Sequence, residues 1–391
     1  MRPGTPFDRI VLMANDVDRL GGVGRFINEM ARGFHGRGYE TELVGISPPP
    51  EGHQQVIERS DQIVVHTLMP EPPPPDWNIR SEADKKDRAR MARHRKRFEL
   101  RKIAVDKLRE LIPHWGSRTL IICTQVYGME HLLEAGYDAN DFDHPRVIGQ
   151  YHGAFHGSKL TGRDYSRVMN AYPEVDRTVF LTEDDALSFR LAGLNNTHWI
   201  PNPVTVSEPG PVERRNTIVA LGRYDEVKSL HLLLAAWEQI AHDLLDWNVE
   251  LWGEGELRHQ LQEMIDVRSI PRVRLMGKTD QIEEVLASSK IHVISSQHEG
   301  LPIAIVEAGL LGVPTVAFDC SPGVRSLVES ERTGLIVPQN HVPAMADAIA
   351  SLANDPERLS RMSVECAQDM KRYSPDVILD QWEDLFLQMA R

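Results

Sequence analysis

The sequence predicts an α/β fold of two Rossmann-like domains, each a doubly wound parallel sheet, facing each other across a cleft. Three observations predict it. The chain has 391 residues, which is more than one hydrophobic core usually serves. A strand, a glycine-rich turn and an amphipathic helix follow one another near residue 10, and the same order restarts after residue 200. Strands that alternate with helices of this length form parallel sheets covered on both faces, and such sheets bind ligands beyond the carboxyl ends of their strands.

The first half begins with a short apolar strand at residues 10–14, followed by a glycine loop at residues 21–24. A helix is predicted next, and its apolar face carries Phe26, Ile27, Met30 and Phe34. Residues 41–46 are predicted to form the second strand. Because the amides of a glycine loop suit a phosphate group, Gly22 and Gly24 are candidate ligand-binding residues. The loop does not match the G-x-G-x-x-G spacing of dinucleotide-binding enzymes.

The second half repeats this order. Strands are predicted at residues 218–221, 249–252 and 273–276, and Ser229 is predicted to cap the helix after the first of them. The domain boundary is placed near residue 200, just before a Pro-Asn-Pro sequence, which gives domains at residues 1–200 and 201–373. A final helix is predicted over residues 374–391. Its apolar face carries Val377, Ile378, Trp382, Leu385 and Phe386.

Two cations follow the first strand of the second half. Arg223 and Lys228 lie five residues apart in the loop after that strand. A ligand of such a sheet binds at the strand ends, and two fixed cations there suit a departing diphosphate, whose growing charge must be stabilised. Two solvated surface charges are the alternative interpretation. Residues 295–337 favour the functional interpretation.

Residues 295–337 carry the strongest signal in the chain. Gly300 allows a tight turn after an apolar run, and Pro302 is expected as the first residue of the next helix. This places Glu299 in the loop at the helix start and Glu307 almost two turns into the helix. Free amides at a helix N-terminus attract a phosphate or sugar oxygen, and both carboxylates can accept hydrogen bonds from a polyol. The layout predicts a site for a sugar nucleotide.

Four motifs in this segment carry a family resemblance: Glu299-Gly300-Leu301-Pro302, Glu307-Ala308, Gly312-Val313-Pro314 and Gly334-Leu335-Ile336-Val337. They resemble the donor-site segment of retaining, GT-B-fold glycosyltransferases of family 4, also called glycosyltransferase group 1. The resemblance covers nearly the whole second half and, in the first half, mainly the glycine loop. An ordinary βαβ unit with surface glutamates would explain the apolar residues. It would not explain why Glu307 lies among Ile305, Val306 and Ala308.

The resemblance implies a retaining transferase that moves a sugar from a nucleoside-diphosphate donor, with UDP favoured, onto a hydroxyl acceptor. It also implies that domain closure assembles the site and that the last helix returns to the N-terminal domain. The residues implied in catalysis are Arg223, Lys228, Glu299 and His152. Those implied in donor binding are Gly22, Gly24, Gly277, Lys278, Thr279, Gly300, Leu301 and Glu307.

His152 follows an apolar run at residues 147–149, and the resemblance implies that it contacts the donor sugar. A histidine at a strand end is more often structural than catalytic, and His156 is the substitute candidate. Asn15 and Asp16, just past the first strand, are candidates for acceptor contacts. Asn202 resembles the asparagine of an interdomain Pro-Asn motif, which orders the hinge rather than touching substrate.

Two alternatives concern the metal and catalysis itself. The Asp-x-Asp triplets at residues 16–18 and 141–143 would suit a GT-A-type enzyme that binds a diphosphate through a divalent cation. Neither triplet follows an apolar strand in the required way, and Arg223 with Lys228 already supplies positive charge. We therefore expect no catalytic metal and no other cofactor. The second alternative is a non-catalytic nucleotide-sugar-binding or scaffold subunit of the same fold, which donor turnover would distinguish from a transferase.

Residues 80–97 form a basic arm, with nine Lys or Arg against three Asp or Glu. We predict one long helix over residues 80–112, packed in its second half and solvated in its first. A charged surface helix is the simplest interpretation, and a site for a polyanionic acceptor or an anionic membrane surface is the functional one. In the functional case, the cations that should serve charged acceptors are Arg93, Arg95, Lys96 and Arg97. The arm itself lacks aromatic platforms for nucleic acid.

Composition sets further bounds. A formal net charge of −13 argues against nucleic-acid binding by the whole protein. Cys123, Cys320 and Cys366 are too few and too scattered for a disulfide framework or a zinc site, which indicates a reducing compartment. The sequence contains no signal-peptide core and no apolar run of transmembrane length. We expect a cytoplasmic protein, with peripheral contact at the inner membrane face as an extension of the basic-arm hypothesis.

Overall fold

The computed structural model describes residues 3–18, 22–51, 59–207 and 209–389. The chain divides into two compact units. Unit 1 consists of Met1–Pro203 together with Pro375–Arg391, and unit 2 consists of Val204–Ser374. Each unit is built on its own parallel sheet with helices on both faces, so the predicted pair of Rossmann-like domains is confirmed.

Seven parallel strands form the sheet of unit 1. They are β1 (Arg9–Ala14), β2 (Glu40–Gly45), β3 (Val64–Thr67), β4 (Thr119–Cys123), β5 (Arg146–Tyr151), β6 (Arg177–Phe180) and β7 (Thr197–Trp199). Their order across the sheet is β3-β2-β1-β4-β5-β6-β7. The order therefore reverses between β1 and β4, and this reversal is where doubly wound sheets place their ligands.

Helices cover both faces of this sheet. They are α1 (Gly22–Gly36), α2 (Glu82–Lys86), α3 (Arg88–Trp115), α4 (Val126–Glu134), α5 (Phe155–Thr161), α6 (Arg163–Ala171) and α7 (Glu183–Leu191). Alternate residues of a strand point to opposite faces. Accordingly, Val11 and Met13 of β1 join the core under α3 and α4, whereas Ile10 and Leu12 join the core under α1.

Unit 2 repeats the plan with six parallel strands. They are β8 (Thr217–Leu221), β9 (Asn248–Trp252), β10 (Val273–Gly277), β11 (Ile291–Ile294), β12 (Thr315–Phe318) and β13 (Gly334–Val337). Its helices are α8 (Leu230–Ile240), α9 (Arg258–Val267), α10 (Ile282–Ala287), α11 (Ile303–Leu310), α12 (Pro322–Leu327), α13 (Val342–Ala353) and α14 (Pro356–Asp369). The strand order is β10-β9-β8-β11-β12-β13. Here the reversal lies between β8 and β11.

The last helix, α15 (Pro375–Gln388), belongs to unit 1 and packs on α1. Its buried face includes Ile378, Trp382, Leu385 and Phe386, as the sequence predicts, whereas Val377 is exposed. A polar cluster joins α15 to the turn between α1 and β2. The Arg37 guanidinium lies 2.6 Å from a Glu383 carboxylate oxygen and 2.7 Å from that of Asp380, and the Tyr39 hydroxyl donates to Glu383 at 2.9 Å.

The basic arm differs from the single helix predicted over residues 80–112. It consists of α2 and α3, which are separated at Asp87. Asp87 ends the first helix and caps the second, since its side chain accepts from the amides of Ala89 and Arg90. Packing is as predicted at Val105 and Ile112, which are buried, whereas Phe98 is exposed. Among the described residues, no helix has the length and apolar character needed to span a membrane.

Candidate functional site

The carboxyl end of β8 is held in a tight glycine contact. Gly222 follows β8 and Gly253 follows β9, both with positive φ, at 151° and 143°. A Cβ built on Gly253 would lie 1.8 Å from the carbonyl oxygen of Gly222, so only glycine fits there. The loop that carries Arg223 and Lys228 therefore packs directly against the loop after β9.

Lys228 and Glu299 meet at the reversal point of the second sheet. The Lys228 ammonium lies 2.7 Å from a Glu299 carboxylate oxygen, and the Ser296 hydroxyl donates to that same oxygen at 2.6 Å. Both side chains are largely buried, with 24% of Lys228 and 13% of Glu299 exposed. The Ser295 hydroxyl donates to the Lys228 carbonyl at 2.9 Å, which ties the loop after β8 to the loop after β11. Two of the predicted catalytic residues are thus brought into direct contact.

The helix that follows Glu299 begins one residue later than predicted. Pro302 is the N-cap of α11 rather than its first residue, and the helix starts at Ile303. Glu307 is therefore the fifth helical residue, a little over one turn from the start instead of almost two. It is partly exposed, while Leu301 is buried. The turn before the helix is fixed by α12, because a Cβ on Gly323 would lie 1.7 Å from the carbonyl oxygen of Gly300.

Of the remaining predicted site residues of unit 2, Arg223 and Lys278 are exposed, and Gly277 and Thr279 are partly exposed. Arg223 is 79% exposed and pairs with Asp225 at 2.9 Å, so the expectation of two fixed cations holds for Lys228 but not for Arg223. Lys278 is equally exposed and lies 3.3 Å from Glu254. Gly277 ends β10, and the Thr279 hydroxyl accepts from the amide of Gln281.

In unit 1 the predicted glycine loop is the start of a helix. Gly22 and Gly24 lie in the first turn of α1, and the Gly24 carbonyl accepts from the Asn28 side chain at 2.8 Å. Gly21 lies outside the described residues. Asn15 and Asp16 follow β1, and the Asn15 amide donates to the Gln125 side chain at 2.9 Å. This contact joins the carboxyl ends of β1 and β4 at the reversal point of the first sheet.

His152 follows β5 and is partly buried. Its Nδ1 lies 3.3 Å from the Asn202 side-chain nitrogen, and its ring meets the edge of Phe26 at 5.0 Å. Burial lowers the pKa of His152 to about 4, so the ring is neutral near pH 7. With the Asn202 amide oriented so that its nitrogen faces the ring, Nδ1 accepts and the ring proton lies on Nε2. His156, the substitute candidate, is exposed on α5.

Nε2 of His152 is buried, and no hydrogen-bond partner for it occurs in the described part of the chain. A buried donor without a partner is costly unless a ligand or water satisfies it. This atom is therefore suited to donate to an oxygen of a bound molecule. The Asn202 side chain orients the ring, whereas the sequence predicts only a hinge role for Asn202.

Comparison with known proteins identifies the family of this chain and solved structures with the same fold. The family model described as "Glycosyl transferases group 1" matches residues 205–368. The chain is also 30% identical, over 71% of its own length and 79% of the relative's, to an uncharacterized glycosyltransferase of Haemophilus influenzae. The chain belongs to the group 1 glycosyltransferases. Its two parallel-sheet units match GT-B structures.

One GT-B structure similar to this group 1 glycosyltransferase is Anabaena HepE, solved in complex with UDP and glucose. It superposes with a TM-score of 0.73 at 16% identity, over 96% of this chain and 98% of HepE. A relative by sequence is the poly(glycerol-phosphate) alpha-glucosyltransferase of Bacillus subtilis, 23% identical over 64% of this chain. That match spans only 40% of the Bacillus protein.

Sequence reasoning missed several polar residues around this transferase site. Ser295 and Ser296 support Lys228 and Glu299, and the Gln297 side chain donates to Ser229 at 2.9 Å. The signal for them was a run of short polar residues directly after β11. Ser229 itself stands at the N-cap of α8 with positive φ and does not cap the helix with its side chain, contrary to prediction.

The acidic triplets have local partners. Asp18 of the first triplet pairs with Arg59 at 2.8 Å, and Asp141 of the second lies 3.6 Å from His144. Across residues 3–18, 22–51, 59–207 and 209–389, no group of three or more His, Cys, Asp or Glu is arranged to hold a metal ion. Cys123, Cys320 and Cys366 are all free thiols. Burial and the negative charge of Glu299 raise the pKa of Cys320 to about 12, so its thiol stays protonated.

Proposed function

We propose that this group 1 glycosyltransferase is a retaining enzyme of the family 4 type. It transfers a sugar from a nucleoside-diphosphate sugar, with UDP favoured, to a hydroxyl acceptor and needs no catalytic metal. The observation that carries the proposal is the 2.7 Å pair of Lys228 and Glu299, located at the reversal point of the second sheet beside the N-terminus of α11. A cation, a carboxylate and free helix amides together suit a phosphorylated sugar.

Each donor residue has a role in this proposal. Lys228 binds the diphosphate, and Glu299 orients its ammonium before the donor arrives. Arg223 is exposed in the free protein and moves onto the diphosphate when the donor binds, replacing its weak surface pair with Asp225. The turn at Gly300 and Leu301 presents its amides, Glu307 accepts hydrogen bonds from the ribose, and the backbone of Gly277, Lys278 and Thr279 binds the base.

The proposed reaction balances without a metal. The acceptor oxygen forms a bond to the anomeric carbon on the same face from which the diphosphate leaves. The bond between that carbon and the phosphate oxygen breaks, and the acceptor proton passes to the leaving phosphate. Arg223 and Lys228 stabilise the charge that develops on the diphosphate. His152 supplies its Nε2 proton as a hydrogen-bond donor to a sugar hydroxyl, and Gly22 and Gly24 contact the donor from α1.

Support for a UDP donor comes from HepE, a GT-B structure solved with UDP and glucose. Support for an anionic acceptor comes from the Bacillus relative, whose name specifies a poly(glycerol-phosphate). We therefore propose a hydroxyl-bearing acceptor that is either an anionic polymer or lipid-linked. Asn15, Asp16 and His156 are the proposed acceptor contacts.

The test is calorimetric titration of UDP, GDP and ADP in the absence of divalent metal, followed by a donor-turnover assay. One nucleotide should bind saturably, and Glu307→Ala should weaken its binding because a ribose partner is lost. Glu238→Ala is the matched control, since Glu238 lies on α8 and pairs with Arg268 at 2.6 Å. It should leave nucleotide affinity unchanged.

Each other outcome has a definite meaning. Equal loss in the two variants would remove the role of Glu307. Binding that requires added magnesium would overturn the metal-free mechanism. Nucleotide binding without turnover, across neutral and anionic acceptors, would favour the non-catalytic subunit of the same fold.

A further inference from the structure

The solvent side of α3 carries a row of unpaired cations. Arg88, Arg95 and Lys102 are exposed and form no ion pair or side-chain hydrogen bond with any described residue. They are spaced seven residues apart, which is 20° short of two helical turns, so they project from one side of the helix. Successive members lie about 10 Å apart along the axis. These three residues are called the outer row.

The other lysine and arginine side chains of α3 are already engaged. Lys96 lies 2.6 Å from Glu71, and Arg93 donates to the Asp76 carbonyl at 3.4 Å. The Arg97 guanidinium lies 4.0 Å from the centre of the Trp77 ring and donates to the Tyr127 hydroxyl at 2.8 Å. Arg93, Lys96 and Arg97 thus hold residues 71–77 against α3, and they are called the clamp. The four cations predicted from sequence as one set therefore divide: Arg95 has no partner among the described residues, whereas Arg93, Lys96 and Arg97 do.

The outer row is flanked by exposed apolar side chains. Phe98 is 55% exposed, and Ile103 is exposed on the other side of the row. Glu99 is an acidic neighbour of the row, while Asp106 further along is paired with Arg109. The buried side of α3 carries Leu100, Ala104 and Leu108, which anchor the helix in the core of unit 1. The face is therefore a rigid platform that needs no folding step to bind a partner.

We propose that the outer row and Phe98 bind the surface of a bilayer that contains anionic lipids. Charge complementarity supports this, because Arg88 and Arg95 lie in a segment, residues 80–97, with nine basic against three acidic residues, within a chain of net charge −13. The apolar side chains favour a bilayer over a dissolved polyanion. A bilayer offers phosphates and an apolar interior at one surface, whereas a hydrophilic polymer gains little from Phe98. This surface is separate from the donor site and does not depend on the proposed transfer reaction.

Co-sedimentation with vesicles tests the proposal. The full chain should bind vesicles of phosphatidylcholine with phosphatidylglycerol and should not bind pure phosphatidylcholine. The triple variant Arg88→Gln/Arg95→Gln/Lys102→Gln should bind the anionic vesicles roughly 100-fold more weakly, at about 1 kcal/mol per cation near the surface. Raising the salt concentration should weaken wild-type binding as well.

The clamp provides a control of equal charge. Arg93→Gln/Lys96→Gln/Arg97→Gln removes the same three charges and should weaken vesicle binding by less than about tenfold. Phe98→Ser, which keeps every charge, should weaken the binding that survives high salt. Circular dichroism of each variant verifies that α3 is folded.

Three results would overturn the proposal. The first is equal weakening by the two triple variants, which would reduce the effect to net charge. The second is wild-type binding to inorganic polyphosphate without binding to anionic vesicles, which would assign the face to a polyanion. The third is no binding to either.

Discussion

At the scale of single residues, the two cations of the proposed donor site, Arg223 and Lys228, differ in how they are held. Lys228 is fixed by Glu299 and by backbone contacts, so removing it disturbs both the site and the packing around it. Arg223 is exposed and forms only a surface pair with Asp225. Surface pairs contribute at most about 1 kcal/mol to stability. Arg223 therefore allows a clean separation of function from folding.

Arg223→Ala should lower kcat/KM for sugar transfer by at least about 10², because a charge that stabilises the leaving diphosphate is lost. Its melting temperature should match that of the wild type within experimental error. Arg268→Ala serves as the control, since Arg268 forms a comparable surface pair with Glu238. Wild-type transfer by Arg223→Ala would remove the assigned role.

Lys228 and Glu299 could be proposed as donor-site candidates because each lies in a loop after a predicted strand, whereas the partners that orient the candidate residues could not be predicted. Lys228 and Glu299 were both named from strand-end position, but their contact depends on β8 and β11 being neighbours in the sheet. His152 and Asn202 are fifty residues apart and meet because β5, β6 and β7 are adjacent. Strand order is set by the packing of the whole unit, and no local pattern encodes it.

At the scale of elements, the structure corrects where the predicted helices begin and end more than whether a segment is a helix or a strand. The Pro302 error is one residue, because proline suits both the N-cap and the first helical position. The break in the basic arm could have been predicted. Ser81 and Asp84 form a capping box for α2, and Asp87 is a good N-cap for the next helix. The division of the arm into clamp and outer row could not have been predicted, because it depends on which part of α3 residues 71–77 contact.

Glycine contacts between elements set the position of the donor loops. Gly323 of α12 lies against the carbonyl of Gly300, beside Glu299. Gly334 at the start of β13 makes a similar contact, in which a Cβ would lie 2.2 Å from the carbonyl oxygen of Thr315. The second contact is at the amino end of its strand, opposite the donor site. The two positions form a matched pair for substitution.

Gly323→Ala should lower kcat/KM by about tenfold or more, because the turn that carries Glu299 must move away from the new methyl group. Gly334→Ala should lower the free energy of unfolding about as much as Gly323→Ala does. It should leave kcat/KM within a few-fold of wild type. A double-mutant cycle adds a second readout. Gly323→Ala combined with Glu299→Ala should cost little beyond Glu299→Ala alone, whereas fully additive losses would contradict a link through Glu299.

At the scale of the whole molecule, unit 1 is completed by the last helix of the chain. The core on one face of its sheet includes Ile378, Leu379, Trp382 and Phe386 together with residues of α1. The polar cluster at Arg37 and Glu383 fixes this helix at a buried position, where Glu383 is only 3% exposed. Burial raises the pKa of Tyr39 to about 12, so its hydroxyl remains a donor to Glu383 across the neutral range.

Glu383→Ala should destabilise unit 1 by about 1–3 kcal/mol, because it removes a buried acceptor of the Tyr39 hydroxyl and leaves the Arg37 guanidinium with the half-exposed Asp380 carboxylate. Asp376→Ala is the matched control on the same helix. Its carboxylate lies 3.9 Å from Arg37 and is 96% exposed, so the expected loss is below about 1 kcal/mol. Urea unfolding followed by circular dichroism measures both. Similar losses of unfolding free energy in the two variants would show that the buried carboxylate stabilises the protein no more than the exposed one.

The attachment of α15 also has a consequence for how the protein is made. The apolar side of α1 is synthesised early, but the helix that covers it, α15, is synthesised only after all of unit 2. At translation rates of about 5–20 residues per second, that side stays uncovered for on the order of ten seconds or more. During this interval unit 1 offers an apolar surface to chaperones. Chains truncated before α15 should keep that surface exposed. We expect proteolysis to remove them, so that they do not accumulate.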